Sequence, residues 1–276
     1  TFTALFEQQS YNDALIHYQP LLDNNGAFWD YVIITASNEA QALAYQSQIE
    51  FRKSRRQLPE KTNFMIISDP GGKRDGSGGA TLNALMCVYE EIGKFTGTRI
   101  LVIHSGGDSK RIPQYSVCGK LFSPVPHILP NGQRSTLFDE FMVGMSPVAS
   151  RIEEGMLVCS GDVLLIFNAL QLDFYSKGAA ALSIKEDVDV GKEHGVYLKD
   201  ENSNVGSFLH KQTVESLKLN GAVDNRGKVD IDTGAVILDC NILNDLCNLV
   251  SKEPEKYINE RARLSFYADF LYPMAS

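Results

Sequence analysis

Short apolar runs alternate with helical patterns through the first 160 residues, and this alternation constrains the fold more than any other feature. The segments between the runs repeat apolar residues every three or four positions, as amphipathic helices do. Such β-loop-α alternation predicts an α/β fold, with a mostly parallel mixed sheet flanked by helices. The four runs predicted as buried strands, rich in β-branched or other apolar residues, are 31–35, 64–67, 100–103 and 156–159.

Glycine-bearing loops follow three of these predicted strands. They begin after residues 67, 103 and 159. Ligands of open α/β sheets bind beyond the carboxyl ends of the strands, so the sequence predicts a binding site at this edge. The second half of the chain has a more mixed pattern, with further strands predicted near 180–184, 195–199, 205–209 and 234–238.

Charge narrows the possible partners. The 276 residues carry a net charge of −8, which argues against nucleic acid or an anionic membrane as partner. Residues 70–120 run against this trend, with seven Lys/Arg against four Asp/Glu. A basic island in an acidic chain favours a small polyanion as ligand.

The cysteines indicate the redox compartment of the protein, and the chain ends indicate whether the sequence is part of a longer protein. The five cysteines are odd in number and lack C-x-x-C spacing, which predicts neither a disulfide framework nor a zinc site but a reducing, cytoplasmic setting. No apolar run approaches the ~20 residues of a membrane span. The chain starts at Thr1 and stops in a segment typical of mid-fold, so we expect residues 1–276 to be a single domain from a longer protein.

The most informative loop follows the third predicted strand. It contains Gly106 and Gly107, then Arg111 and, nine residues further on, Lys120. Glycines after a buried strand let backbone N–H groups surround a phosphate, and the basic side chains add charge. The loop is not a Walker A motif, because Lys120 is followed by leucine instead of Ser or Thr.

Seven motifs, in order, resemble the fucose-1-phosphate guanylyltransferase (GDP-fucose pyrophosphorylase) family. That family includes the pyrophosphorylase part of bifunctional fucokinase/GDP-fucose pyrophosphorylase enzymes. The resemblance implies a Rossmann-like, glycosyltransferase-A-type nucleotidyltransferase domain, with C-terminal β-helical and kinase parts outside this chain. The motifs are residues 68–70, 76–83, 104–111, 160–163, 194–196, 209–212 and 232–234.

The resemblance implies that GTP and fucose 1-phosphate react to give GDP-fucose and pyrophosphate, with Mg²⁺ as cofactor. Gly106 and Gly107 would then cradle the triphosphate through their backbone N–H groups. Arg111 would grip the β- and γ-phosphates, for which its planar guanidinium is suited. Lys120 would neutralise charge at the α-phosphate.

The same resemblance points to two metal carboxylates. Asp162 follows a buried strand, and Gly161 before it would give a ligand access to the backbone. A carboxylate in this position suits Mg²⁺. For the second carboxylate Asp269 is the best match, with Asp230 and Asp232 as rivals.

On the sugar side, Lys211 matches the lysine that would bind the sugar phosphate. His210 and Gln212 beside it depart from the family pattern, which has an acidic or amide residue and a proline there. His194 and Gly195 resemble the element that lets the sugar approach the backbone.

The segment Gly76, Ser77 and Gly78 precedes a predicted amphipathic helix. Backbone N–H groups at a helix N-terminus can face a base or a phosphate, so a ligand loop is predicted here. A purely structural turn explains the same glycines.

Two alternatives to GDP-fucose formation stay open from sequence. One is the same chemistry on another sugar 1-phosphate or another NTP, since one sequence does not locate the base contacts. The other is a non-catalytic nucleotide-sensing module attached to a sugar kinase, which the altered element at His210 and Gln212 favours.

Overall fold

The computed structural model describes residues 2–105, 119–129, 131–172 and 177–275. The strands are β1 (Tyr31–Ala36), β2 (Asn63–Ser68), β3 (Arg99–His104), β4 (Pro124–Ile128), β5 (Arg134–Thr136), β6 (Gly155–Ser160), β7 (Ala179–Asp187), β8 (Gly195–Lys199), β9 (Val205–His210) and β10 (Lys228–Leu238). The helices are α1 (Phe2–Leu22), α2 (Glu39–Ser54), α3 (Gly76–Ile92), α4 (Leu137–Gly144), α5 (Ser146–Ala149), α6 (Val188–Gly191), α7 (Val214–Leu219), α8 (Cys240–Val250), α9 (Pro254–Tyr257) and α10 (Tyr272–Met274). Shorter turns are Pro70–Gly72, Lys120–Phe122, Ala169–Gln171 and a π-helical turn, Phe266–Leu271.

The central sheet has the order β2-β1-β3-β6-β10-β8-β9, and β7 also pairs with β10. The first four strands in this order are parallel, whereas β10 runs antiparallel to β6, β7 and β8. The predicted α/β class, a mixed sheet flanked by helices, is therefore confirmed. The chain passes from β1 to β2 on one side and then to β3 on the other, which makes the gap between β1 and β3 a topological switch point.

Both faces of the parallel strands are buried, which explains why their sequences are continuous apolar runs. Leu101 and Ile103 of β3 belong to a cluster with residues of α1, α2, α4 and α5. Ile100 and Val102 point to the opposite face and join residues of α3 and α8. A side chain of this kind contributes about 1.5–3 kcal/mol when fully buried.

Local hydrogen bonds fix where helices α2 and α4 begin. The N–H of Gln41 donates to Asn38 Oδ1 at 2.9 Å and caps α2. Thr136 and Asp139 form a capping box at the start of α4. Asp139 also pairs with the buried Arg52 of α2 at 2.7 Å, which ties these two helices together.

None of the helices in the described ranges has both the length and the apolar character needed to cross a bilayer. Cys87, Cys159, Cys240 and Cys247 are free thiols, the last three of them buried. Cys118 lies outside the described residues.

Candidate active site

Two clefts open at the carboxyl edge of the parallel strands. The small pocket, of about 230 Å³, lies at the switch point. The large cleft, of about 490 Å³, lies beyond the end of β6. Residues lining the small pocket include Thr35, Ser37, Asp69, Gly76, Ser77 and His104, and those lining the large cleft include Ser160, His194, Gly195, Lys211, Asp232 and Tyr267.

His104, the last residue of β3, forms the floor of the small pocket through a defined tautomer. Thr81 donates its hydroxyl proton to the carbonyl of Ser77 at 2.9 Å, so it accepts from His104 Nε2 at 2.8 Å. His104 Nδ1 is then left to accept from the hydroxyl of Thr35 at 3.3 Å. Burial lowers the pKa of His104 to about 4. The imidazole is therefore a neutral, oriented group.

A carboxyl pair lies beside this pocket, at the start of α3. Burial, with the charge of Asp69 as a further cause, raises the pKa of Asp75 to about 7. Burial also raises the pKa of Asp69. The two carboxyls thus hold less negative charge near neutral pH than two free aspartates would.

The predicted ligand loop at the start of α3 contacts the chain near its C-terminus. The N–H of Gly78 donates to the carbonyl of Leu264 at 2.7 Å, and Ser77 Oγ accepts from the N–H of Phe266 at 2.9 Å. Gly76 has φ +84°, and a Cβ there would lie 2.3 Å from Leu264 O. Close chain packing accounts for these glycines. Ligand contact by Gly76, Ser77 and Gly78 stays a prediction, supported for Gly76 and Ser77 by their place in the pocket wall.

The structure brings together two residues predicted from separate motifs, Lys120 and Asp162. Lys120 Nζ lies 3.1 Å from Asp162 Oδ2, and Ser160 Oγ donates to Asp162 Oδ1 at 2.9 Å. Burial alone would raise the pKa of Asp162, but the hydrogen bonds from Ser160 and Lys120 outweigh it and hold this pKa below its usual value. An ionised carboxylate and an ammonium group therefore meet at the end of β6.

Gly161, between these partners, lets the ends of β6 and β3 approach each other. Its N–H donates to the carbonyl of His104 at 2.9 Å, and a Cβ at this position would lie 2.9 Å from that same oxygen. The interstrand contact accounts for the glycine. A ligand contact at Gly161 stays a prediction.

Asp232 lines the large cleft at a β-bulge in β10. Its Oδ1 accepts from the hydroxyl of Tyr197 at 2.8 Å and from the N–H of Gly234 at 2.9 Å. The register of β10 against β7 shifts between Asp232 and Val236. Burial raises the pKa of Asp232. Bulges re-aim side chains, and here the bulge turns a carboxylate into the cleft wall.

Tyr267 also lines the large cleft, and sequence analysis did not identify it. A Cβ on Gly234 would lie 3.0 Å from its hydroxyl and 3.0 Å from Ser160 Cβ, and the charges of Asp232 and Asp162 act on the phenol. Burial, reinforced by the charge of Asp232, raises the pKa of Tyr267. The phenol is therefore a neutral hydroxyl next to two carboxylates. The local sequence carries no motif for this, because the contact arises only when the C-terminal segment folds back.

The predicted sugar-side residues come together at the β8–β9 hairpin. Gly195 pairs with His210, and the N–H of Lys211 donates to the carbonyl of His194 at 2.9 Å. Lys211 has φ +48°, an uncommon backbone conformation that directs the chain past the cleft. A Cβ on Gly195 would lie 2.3 Å from Phe208 Cζ. The ring of Phe208 therefore accounts for this glycine, and sugar contact at His194 and Gly195 stays a prediction.

Asp269, predicted as the second metal carboxylate, lies away from Asp162 and from the lining of both clefts. Its Oδ2 accepts from the N–H of Ser265 at 2.7 Å, so it caps its own π-helical turn, and it is exposed. It is not among the described residues that line either cleft. Asp230 pairs with Lys185 and Lys199 at 3.1 and 3.2 Å. Asp232 is the candidate that shares a cleft with Ser160, the partner of Asp162.

Three further site predictions, Gly106, Gly107 and Arg111, lie outside the described residues. Among the residues that are described, no group of three or more His, Cys, Asp or Glu side chains is placed to hold a metal ion.

Comparisons with known proteins point to the same family as the motifs. The chain is 28% identical to a bifunctional fucokinase/GDP-fucose pyrophosphorylase of Arabidopsis thaliana over 281 residues, 88% of this chain and 27% of that protein. It is 33% identical to a fucose-1-phosphate guanylyltransferase of Homo sapiens over 220 residues, 73% of this chain and 35% of that protein. The chain thus spans only about a quarter to a third of the relatives' lengths.

A solved structure, that of HddC from Yersinia pseudotuberculosis complexed with GMP-PN, covers 87% of this chain at 13% identity. That match spans 84% of the solved chain, and its TM-score of 0.37 is too low to bear on function. The model of the fucose pyrophosphorylase domain matches residues 93–276, most of the chain. The resemblance seen in the motifs is thereby confirmed, and the chain belongs to the fucose pyrophosphorylase family.

Proposed function

We propose that this chain forms GDP-fucose and pyrophosphate from GTP and fucose 1-phosphate. An oxygen of the sugar phosphate attacks the α-phosphorus in line, and the bond to the bridging oxygen of the β-phosphate breaks, so pyrophosphate leaves with the electron pair. The observation that carries the proposal is the Lys120–Asp162 pair at 3.1 Å, at the end of β6 in a chain of this family. Such a transfer needs charge neutralisation and alignment more than covalent chemistry by the protein.

The small pocket is the site we assign to the nucleotide. It lies at the switch point between β1 and β3, where doubly wound sheets bind nucleotides. Its wall contains the neutral imidazole of His104 and hydroxyl groups such as that of Ser77. Neutral donors and acceptors suit an uncharged base. The family resemblance assigns the triphosphate to Gly106, Gly107 and Arg111, which follow His104 in sequence.

The large cleft is the site we assign to fucose 1-phosphate. Lys211 supplies a positive charge for the sugar phosphate, and Asp232 offers an acceptor for hydroxyl groups. Val163, Leu164 and Ile184 give the cleft an apolar side, although Leu164 and Ile184 are each about half exposed. The methyl group of a 6-deoxy sugar can cover such surface, which a cleft for a fully hydroxylated sugar would not need.

The carboxylates at the end of β6 and in the bulge of β10 fit Mg²⁺, a hard cation that prefers oxygen ligands and phosphates. Asp162 is ionised, and Asp232 lines the adjoining cleft, so we assign the metal to these two residues in preference to Asp269. Bound there, Mg²⁺ would neutralise charge on the triphosphate. Lys120, which pairs with Asp162 in this structure, would exchange that partner for the α-phosphate.

We also place the reaction in the cytoplasm, since buried free thiols suit a reducing compartment. The whole protein extends well beyond this chain if it resembles its relatives in length. Coupling to a sugar kinase elsewhere in that protein would supply the sugar phosphate.

A pyrophosphate-release assay tests the proposal. The chain is supplied with Mg²⁺, one of GTP, ATP, UTP or CTP, and the 1-phosphate of fucose, glucose or mannose. We expect release with GTP and fucose 1-phosphate, and its loss in Asp162→Asn. Release with another pair only would keep the reaction and overturn the substrates. Nucleotide binding without any release would contradict catalysis and favour the nucleotide-sensing module.

A further inference from the structure

The described lining of the small pocket holds a single acidic side chain, that of Asp69. The function proposed above, on which this inference rests, gives it no role. Asp69 follows β2 at the edge of the sheet, and its N–H donates to the carbonyl of Ala36 at 2.9 Å, which ties its backbone to the end of β1. Its side chain does not cap the turn Pro70–Gly72 that begins after it. This half-buried carboxylate therefore faces the pocket without serving the local backbone.

Three other polar side chains of the lining are already paired inside the protein. The hydroxyl of Thr35 donates to His104 Nδ1 at 3.3 Å, and His104 Nε2 donates to Thr81 at 2.8 Å. The hydroxyl of Ser37 donates to Gln41 Oε1 at 3.1 Å. These groups shape the pocket, but their protons are committed to neighbours within the chain.

Ser77, in the first turn of α3, contributes a donor to the same lining. Its Oγ accepts from the N–H of Phe266 at 2.9 Å, which fixes the oxygen, and its own proton goes to no acceptor within the described ranges. The pocket thus combines a carboxylate that accepts hydrogen bonds with a hydroxyl that donates one. Arg74 adds a positive charge to the lining.

Guanine presents the complementary groups along one edge of its ring system. N1–H and the N2 amino group are adjacent donors, and O6 beside them is an acceptor. A carboxylate accepts two parallel N–H bonds, as it does from a guanidinium. Adenine, cytosine and uracil have no two adjacent donor nitrogens on this edge. The pocket, of about 230 Å³, is smaller than the about 300–1,000 Å³ of sites that enclose a drug-sized ligand, so it suits one part of a nucleotide.

We propose that Asp69 is the residue that selects the base: its carboxylate accepts from N1–H and the N2 amino group of guanine, while Ser77 donates to O6. Burial raises the pKa of Asp69, and the charge of Arg74 opposes that rise. Two N–H donors from guanine would stabilise the ionised carboxylate further. A base without this pair of donors would leave the carboxylate desolvated and unpaired.

The test is Asp69→Asn, which keeps the shape of the side chain but turns one acceptor oxygen into a donor. Xanthine has a carbonyl group at C2 where guanine has its amino group, so XTP matches the asparagine. We expect affinity for GTP to fall about 10–100-fold and affinity for XTP to rise by a similar factor. Isothermal titration calorimetry with Mg²⁺ measures both. In the wild type, ITP, which lacks the N2 amino group, should bind about tenfold more weakly than GTP.

The matched control is Asp245→Asn, on an exposed position of α8 outside both clefts, which should leave all three affinities unchanged. The melting temperature of Asp69→Asn should lie within about 3 °C of the wild type, since the two side chains have the same size. An equal loss for GTP, ITP and XTP would assign Asp69 to the ribose and overturn the inference, as would unchanged affinities. Equal binding of GTP and ITP by the wild type would overturn it without any substitution.

Pyrophosphate release, measured in parallel, separates this inference from the proposed function. Release from GTP with unchanged selectivity in Asp69→Asn overturns only the role of Asp69. Guanine-selective binding that switches to XTP, without release in either protein, overturns catalysis and keeps Asp69 as the residue that selects the base. Absence of binding by any of the three nucleotides overturns both.

Discussion

The small pocket and the large cleft share one edge of the sheet but are built from different kinds of strand. The small pocket collects the ends of parallel strands, where the chain leaves β1 and β3 and enters a loop. The large cleft collects the start of β8, the end of β9 and a bulge inside β10, all of them antiparallel neighbours. The small pocket is thus formed at the ends of parallel strands, whereas the large cleft also takes a side chain from inside a strand, that of Asp232 in the bulge of β10.

The difference extends to charge. His104 in the small pocket is neutral and Asp75 beside the pocket has a pKa of about 7, so burial suppresses the charge of these two groups, while Arg74 is the cationic residue of the lining. Beside the large cleft, at the end of β6, Asp162 is ionised and paired with Lys120, and Lys211 brings positive charge to the cleft wall. An uncharged base and a charged sugar phosphate make opposite demands on a site, and the two halves of the sheet meet them separately.

The largest effect is expected when a charge beside the large cleft is removed. Lys120→Ala should lower kcat by about 10²–10³-fold, the range seen when one group that stabilises developing charge is removed. The fold should persist, since Lys120 is partly exposed and its neighbours Leu121 and Phe122 carry the local packing. Lys218→Ala, on the exposed side of α7, is the control. Steady-state pyrophosphate release measures both, and an unchanged kcat in Lys120→Ala would remove it from the reaction.

The neutrality of the small pocket is tested by His104→Gln, since glutamine keeps a donor and an acceptor but does not titrate. The unfolded chain takes up a proton on His104 near pH 6.5, whereas the folded chain does so only near pH 4. The contribution of this neutral histidine to stability is therefore complete above pH 6.5 and is lost as the pH falls to about 4. Wild type should lose up to about 3 kcal/mol more unfolding free energy than His104→Gln between pH 7 and pH 4.

Urea unfolding at a series of pH values measures this difference, and the variant cancels the contributions of other groups such as Asp75. Parallel curves for the two proteins would show that His104 titrates normally in the folded state. The small pocket would then be a charged site at mildly acidic pH, and its contrast with the large cleft would disappear.

The same contrast explains what could be predicted from sequence. Lys120 and Asp162 follow strands of the parallel half, where a loop after each apolar run marks the edge, and the structure brings them together. Tyr267 could not be predicted, because it lines the large cleft together with Ser160 from a segment more than 100 residues away. The sequence shows where the glycines are but not why they are needed. A glycine next to a ligand and a glycine next to another chain segment look identical in one sequence. Gly195 is an example, since its neighbour is the ring of Phe208.

The smallest predicted effect settles this ambiguity at Gly195. In Gly195→Ala the new Cβ would lie 2.3 and 2.6 Å from atoms of the Phe208 ring. Overpacking of this kind costs about 1–3 kcal/mol, and the melting temperature should fall accordingly. Gly206→Ala in the adjacent β9 is the matched control, because its Cβ would meet only Leu198 O, at 3.8 Å. In a Phe208→Leu background the cost of Gly195→Ala should shrink, since the ring that opposes it is gone. If Gly195→Ala instead leaves the melting temperature unchanged and raises KM for fucose 1-phosphate, the glycine is there for the sugar, and the large cleft presents backbone to its ligand just as the loops of the parallel half do.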